Sequence, residues 1–192
     1  MLVLGAGENL NGEHLMPLPV GSMAPNFTAP DERDRPFTLS EHLAYGNVLL
    51  IFYPADWGFI CRNEVVEFRD RQDDFERCGI RLVGYSTNMV VSHGVWSEHL
   101  RLRFPLISDP PGRIALAYGV LDTDEDSFNK GRTKRALFLM DRSGIVRYAW
   151  VTENQWQEPD YDRVLASCIE ALARPPTDGA VEERAAIDNG SM

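Results

Sequence analysis

A chain of 192 residues with 29 acidic and 19 basic side chains has a formal net charge of −10. That balance repels phosphate backbones and argues against a nucleic-acid partner. With 44% hydrophobic residues the chain can bury the core of one domain, and it contains no apolar run of membrane-spanning length.

The opening stretch, "MLVLGAGENLNGEH", lacks a basic n-region and a full apolar h-region. It does not read as a signal peptide, and a cytoplasmic location is expected. Residues 1–19 read as an irregular N-terminal arm, 20–173 as one domain, and 174–192 as a polar, Pro- and Gly-marked flexible tail. Within the domain, "PLPVGSMAPNF" is an extended lead-in, and "FTLSEHL" is a short helical turn around Ser40. "NVLLIFY", Asn47 to Tyr53, is apolar without alternation, which predicts a strand buried on both faces.

From Cys61 to Arg77 apolar residues recur at roughly helical spacing (Val65, Phe68, Phe75, less regularly Val66 and Gln72), and Gly79 follows as a stop. "IRLVGYS" is a second buried strand. "VVSHGVWSEHLRLR" is an amphipathic helix with Val91, Val95, Trp96, His99 and Leu100 on one side. "FPLISDPPGRIALAYGV" is a loop and then a short helix ending at Gly119. "RALFLMD" and "IVRYAWV" form a hairpin whose turn has Gly144 available for positive φ. "DYDRVLASCIEALA" is a last amphipathic helix. This order predicts an α/β fold: a central mixed sheet with helices on both faces.

The three cysteines, Cys61, Cys78 and Cys168, are odd in number and form no C-x-x-C pair. A disulfide scaffold and a cysteine-based zinc site are therefore not expected. The four histidines show no H-E-x-x-H grouping, and His93 and His99 read as surface or core-edge residues rather than ligands. No metal or cofactor is expected.

Cys61 stands where a buried strand has ended and a helix begins. Unpaired amides and the positive end of the helix dipole favour a thiolate there, and Arg62 adds positive charge, so the thiol pKa should fall below its free value. Such a sulfur is either an activated nucleophile or a buried structural cysteine, and position alone leaves both open.

"FYPADWGFICRNEVVEF" resembles the active-site segment of the peroxiredoxins, the alkyl hydroperoxide reductase C / thiol-specific antioxidant family, whose pattern is Pro, three residues, Thr or Ser, two residues, Cys. The resemblance extends to "VGSMAPNFTAPD", to the Phe-Pro-Leu-x-Ser-Asp and Ala-Tyr-Gly-Val elements, and to "KRALFLMDRSGIVRYAWV". It covers roughly residues 20 to 172 and implies a thioredoxin-like fold. It also implies that Cys61 attacks a peroxide oxygen and becomes a sulfenic acid. Arg135 would hold thiolate and peroxide by charge-assisted hydrogen bonds. Pro54 would shield the sulfur, and Glu64 would brace the arginine.

The sequence departs from the family at two places. Gly58 stands where the family has Thr or Ser, and Arg62 where it has Pro. Loss of one preorganised donor from a site of this type costs on the order of 10²–10³ in rate. Cys78 lies on the same predicted helix as Cys61, roughly 25 Å along it at 1.5 Å per residue. Cys168 falls inside the last helix with core-like flanks. A typical resolving cysteine lies beyond that helix, so Cys168 stays a possible resolving cysteine only through an intersubunit role, and Cys78 could act only if its helix unwound. The expected mechanism uses one cysteine, with a small thiol or a thioredoxin- or glutaredoxin-like protein as external reductant. A homodimer is the form the resemblance implies. Two other readings follow from the departures: a peroxidase-silent redox sensor or partner-binding member, and a repurposed thiol enzyme acting on a metabolite.

Overall fold

The computed structural model describes residues 15–175. Most of the expected N-terminal arm and nearly all of the expected C-terminal tail lie outside the described residues. The first elements are a two-stranded antiparallel pair, β1 (Thr28–Pro30) and β2 (Pro36–Thr38), and a short helix α1 (Leu39–Leu43). There follow β3 (Asn47–Phe52), α2 (Phe59–Asp70), α3 (Gln72–Arg77), β4 (Ile80–Ser86), α4 (Val90–Leu100) and β5 (Leu106–Ser108). The chain ends in α5 (Arg113–Ala117), β6 (Arg135–Met140), β7 (Val146–Thr152) and α6 (Tyr161–Ala173).

The main sheet has the order β5-β4-β3-β6-β7. β5, β4 and β3 are parallel, and β6 and β7 run antiparallel to their neighbours. The apolar run of β3 is buried on both faces, as its lack of alternation predicts. Val48, Leu50 and Phe52 pack with Phe27, Phe37, Leu43 and Tyr118 under α1 and α5. Leu49, Ile51 and Tyr53 pack with Val65, Phe68, Phe75, Trp96 and Val164 under α2, α3, α4 and α6. Each of these large side chains contributes on the order of 1.5–3 kcal/mol by leaving water. In β6 the same alternation sends Ala136, Phe138 and Met140 to the α1 face and Leu137 and Leu139 to the α2 face. Arg135, two residues before Leu137, thereby belongs to the α2 face.

The hairpin of β6 and β7 is as expected, with Gly144 at φ +82° in its turn. The last helix opens on Asp160, whose carboxylate accepts the Arg163 amide at 3.1 Å, a side-chain cap.

Three expectations are corrected. The helix expected from Cys61 to Arg77 is two helices, broken at Arg71 (φ −96°, ψ 2°), and it starts at Phe59. The buried stripe Val65, Phe68, Gln72, Phe75 runs across the break, so periodicity cannot reveal it. β5 is a strand where the sequence reading expects loop. It is a three-residue strand directly after Pro105, and its pairing of Leu106 with Gly84 is purely tertiary. A Cβ at 84 would meet Leu106 Cδ2 at 2.5 Å, so a larger residue there would require Leu106 to shift. Finally, α4 buries His93, Trp96, Ser97 and Leu100, while Val91, Val95 and His99 face outward. The buried face of α4 is polar because His93 serves a hydrogen-bond network that hydrophobic patterning does not see.

Candidate active site

The chain leaves β3 at Phe52 and reaches α2 at Phe59 through a loop in which Tyr53, Pro54 and Asp56 are buried. Gly58 is the N-cap of α2, and its carbonyl accepts the Arg62 amide at 2.8 Å. Cys61 is therefore the third residue of the helix, within the turn whose amides lack intrahelical partners. It is 5% exposed. Glu64, one turn further on, is fully buried on the same side.

Arg135 enters from the first position of β6. Its Nη2 lies 3.7 Å from Cys61 Sγ and donates to the Gln155 carbonyl at 3.1 Å. Its Nη1 donates to Glu64 Oε2. One guanidinium is thus held by a carboxylate and a loop carbonyl and turned toward the sulfur, which suits its fixed fork of donors. Arg135 Nε and Glu64 Oε1 are buried without hydrogen-bond partners among the described residues.

Burial dominates the electrostatics. It pushes the Glu64 carboxyl from its ordinary 4.5 up to about 7, against the pull of Arg135, with the nearby Glu158 charge adding to the rise. Tyr161 donates to Glu158 at 2.6 Å, so a second carboxylate stands behind the first. At Cys61 burial raises the thiol as well. Arg135 and a backbone hydrogen bond with Ala55 oppose it and do not prevail, and Glu64 pushes the same way as burial. The expected fall below the free thiol value is therefore corrected: the helix terminus and one guanidinium do not replace the water that a 5% exposed sulfur has lost.

The other cysteines stand apart. Cys168 is completely buried in the α2-face core, and burial pushes its thiol up to about 12. Cys78 is exposed at the end of α3. Because α2 and α3 are separate, its distance from Cys61 is better judged from the sheet. Cys78 precedes Ile80, which pairs with Asn47 at the start of β3, while Cys61 follows the far end of that strand. Five strand steps of about 3.3 Å put the two ends roughly 17 Å apart, beyond the Cα separation of about 4–7 Å that a disulfide needs.

Pro54 is buried at the head of the loop. Gly58 has φ −66° and ψ 138°, a conformation open to any residue. A Cβ at 58 would lie 3.2 Å from Cys61 Sγ and 3.4 Å from the Ala55 carbonyl oxygen, so the sulfur would have to yield by a few tenths of an ångström. There is room for a serine. As an N-cap it should change stability by only a few tenths of a kcal/mol relative to glycine. Gly58→Ser is expected to raise the second-order rate with peroxide about tenfold or more by supplying a hydroxyl beside the sulfur. Stopped-flow oxidation of Cys61 checks this; an unchanged or lower rate would remove the missing-hydroxyl account.

Sequence reasoning missed several neighbours. Gln155 acts through its backbone carbonyl, which no side-chain motif reveals. The loop around Trp156 does reach the site, through that carbonyl and through Glu158. Trp57, half-exposed, packs against Trp96 and His99 with ring centroids 6.4 and 5.8 Å apart, while Trp96 itself is buried in the core.

The sequence and the fold are matched in known proteins. The profile of the AhpC/TSA family covers residues 20–149. The chain belongs to that family. Among AhpC/TSA relatives, a chloroplastic 2-Cys peroxiredoxin of Hordeum vulgare is 34% identical over 149 residues, covering 72% of this chain and 68% of that protein. Alkyl hydroperoxide reductase E of Mycobacterium tuberculosis is 35% identical over 134 residues, 69% of this chain and 84% of that protein. The crystal structure of the peroxidoxin BcpB from Mycobacterium tuberculosis superposes with a TM-score of 0.72 at 30% identity, covering 82% of this chain and 99% of that one. The thioredoxin-like AhpC/TSA fold expected from the sequence is thereby established.

Proposed function

We propose that the chain works as a thiol-dependent peroxidase with Cys61 as the reacting sulfur. The family match and the relatives, which bear peroxiredoxin and reductase names, support peroxidase activity in an oxidoreductase. They give no support to a silent sensor or a metabolite enzyme. The observation that carries the residue assignment is the contact of Arg135 Nη2 with Cys61 Sγ, fixed by two further bonds of the same guanidinium.

In the proposed reaction Cys61 gives up its proton, Arg135 favouring the anion against the effect of burial, and the thiolate so formed attacks one oxygen of hydrogen peroxide or an organic hydroperoxide. The S–O bond forms as the O–O bond breaks, and the released hydroxide or alkoxide takes up a proton. Sulfur is oxidised by two electrons to a sulfenic acid and the peroxide is reduced to water or alcohol. Arg135 opposes the negative charge that spreads over sulfur and the departing oxygen. An external thiol then condenses with the sulfenic acid, releasing water, and a second thiol frees Cys61 by disulfide exchange. Pro54 shields the sulfur and Glu64 holds the guanidinium.

Residues 20–173 form the working domain in this reading, and the protein acts in the cytoplasm as a homodimer. Trp57 and Phe59, at the start of the helix that carries Cys61, are exposed apolar residues that a second copy would cover. No helix among the described residues is long and apolar enough to cross a membrane.

Purified protein mixed with hydrogen peroxide or an alkyl hydroperoxide and excess dithiothreitol should consume the oxidant well above the rate of an equal concentration of free thiol. Consumption no faster than the free thiol removes the proposal.

A further inference from the structure

The loop that presents Cys61 is tied down by a second polar cluster for which the proposed chemistry has no use. His93, on α4, is completely buried. Its Nε2 lies 3.2 Å from the Ile107 carbonyl oxygen, which has no proton to give, so Nε2 carries one. Its Nδ1 lies 3.0 Å from each carboxylate oxygen of Asp56. Asp56 also takes the hydroxyl protons of Tyr53 at 3.0 Å and Ser92 at 2.6 Å, one on each oxygen. The Asp56 carboxyl thus receives a hydroxyl donor on each oxygen and is joined to Nδ1 by a further hydrogen bond. Both side chains are fully buried, so each polar atom depends on these partners in place of water.

Asp56 sits two residues after Pro54 and two before the helix cap Gly58. Its own amide donates to Asn88 Oδ1 at 3.0 Å. Its neighbour Trp57 is at φ +66°, a left-handed backbone that a bulky residue keeps only when the surroundings over-determine it. The surroundings that do so are the Asp56 contacts on one side and the packing of the Trp57 ring on Trp96 and His99 on the other.

We propose that His93 is a positioning residue: a buried imidazole that clamps Asp56 and thereby holds the loop 53–58 and the first turn of α2, with Cys61 on it, in register with Arg135. The consequence for rate rests on the assignment of Cys61 as the reacting sulfur; the clamp itself does not. A loop released from Asp56 lets the sulfur drift from the guanidinium, and a misplacement of about 1 Å can cost on the order of 100-fold in rate.

Long-range ¹H–¹⁵N spectra of the full chain at pH 7 should show a proton on His93 Nε2, the signal being assigned by its loss in His93→Gln. An Nε2 without a proton overturns the proposal. His93→Gln and Asp56→Asn should each slow Cys61 oxidation by about 10- to 100-fold below their unfolding temperatures. The double variant should be no slower than the slower single, because the two act as one unit. A folded His93→Gln or Asp56→Asn protein with the wild-type rate constant overturns it, since a merely structural pair would lower the melting temperature and leave that constant alone. If the wild-type chain itself leaves peroxide untouched, the functional reading fails while the clamp is still decided. Amides 55–60 should then exchange hydrogen faster in either variant, and unchanged exchange overturns the clamp.

Discussion

Cys61→Ser is expected to bring peroxide consumption down to the uncatalysed background, while Cys78→Ser combined with Cys168→Ala leaves the turnover supported by a small thiol unchanged. The reason is where each sulfur sits. Among the described residues only Cys61 has a guanidinium within hydrogen-bond reach, at 3.7 Å. Cys168 lies in the core with its thiol pushed up to about 12, so almost none of it is the nucleophilic thiolate at neutral pH. Cys78 belongs to the opposite end of the parallel strands. Replacing Cys168 by alanine opens a small void and should cost roughly 1 kcal/mol, a loss visible in denaturant titration and not in rate. Oxidant consumption with dithiothreitol and mass spectrometry of the oxidised double variant provide the check. A double variant that stops turning over would place one of these two sulfurs in the cycle and end the one-cysteine account.

The second large effect belongs to Arg135. Arg135→Met keeps bulk at the head of β6 and removes the guanidinium, which should slow oxidation of Cys61 by about 10²–10³. It also strands Glu64. Removing one member of a buried ion pair typically costs about 3–5 kcal/mol, since the remaining charge is left uncompensated. The pH dependence then has a definite sign. In the wild type Glu64 holds its proton up to about 7 when folded and up to 4.5 when unfolded. Its contribution to stability is present in full below 4.5 and is lost as pH rises through about 7. Without Arg135 the folded carboxyl rises further, so the window of loss extends to higher pH. Denaturant midpoints of Arg135→Met should therefore lie closer to wild type at pH 5 than at pH 8. Arg135→Met/Glu64→Gln should regain stability at pH 8 and regain no activity. A double variant as unstable as the single would show that the guanidinium supports the fold through something other than Glu64.

Sequence made the outline of this molecule legible to different depths. The β3 and β4 strands, the hairpin and the last helix each carry a local signal strong enough to survive tertiary packing. β5 carries none: three residues directly after Pro105 pair with β4 where Gly84 makes room. At the site, the resemblance singles out Cys61, Arg135 and Glu64, and the fold brings these three side chains together. The Gln155 carbonyl was not, because a backbone atom has no letter of its own. His93 was read as a residue of the surface or the core edge because hydrophobic periodicity treats a buried polar residue as noise. The direction of the Cys61 thiol was misjudged for a related reason. Helix position and neighbouring charge are written in the sequence, whereas the loss of water around the sulfur is a property of the assembled core.

The pairing of Phe52 with Ala136 has a consequence for which changes of length the chain will accept. Strand side chains alternate, so deleting or adding a single residue between Lys134 and Phe138 would turn the arginine to the opposite side of the sheet, under α1 and α5, with no thiol to meet. A graft or shuffled segment spliced into that stretch should abolish the site even if every functional residue were retained. The connection over 122–132, which joins α5 to β6 and lies largely in solvent, can grow or shrink without disturbing which way the guanidinium points.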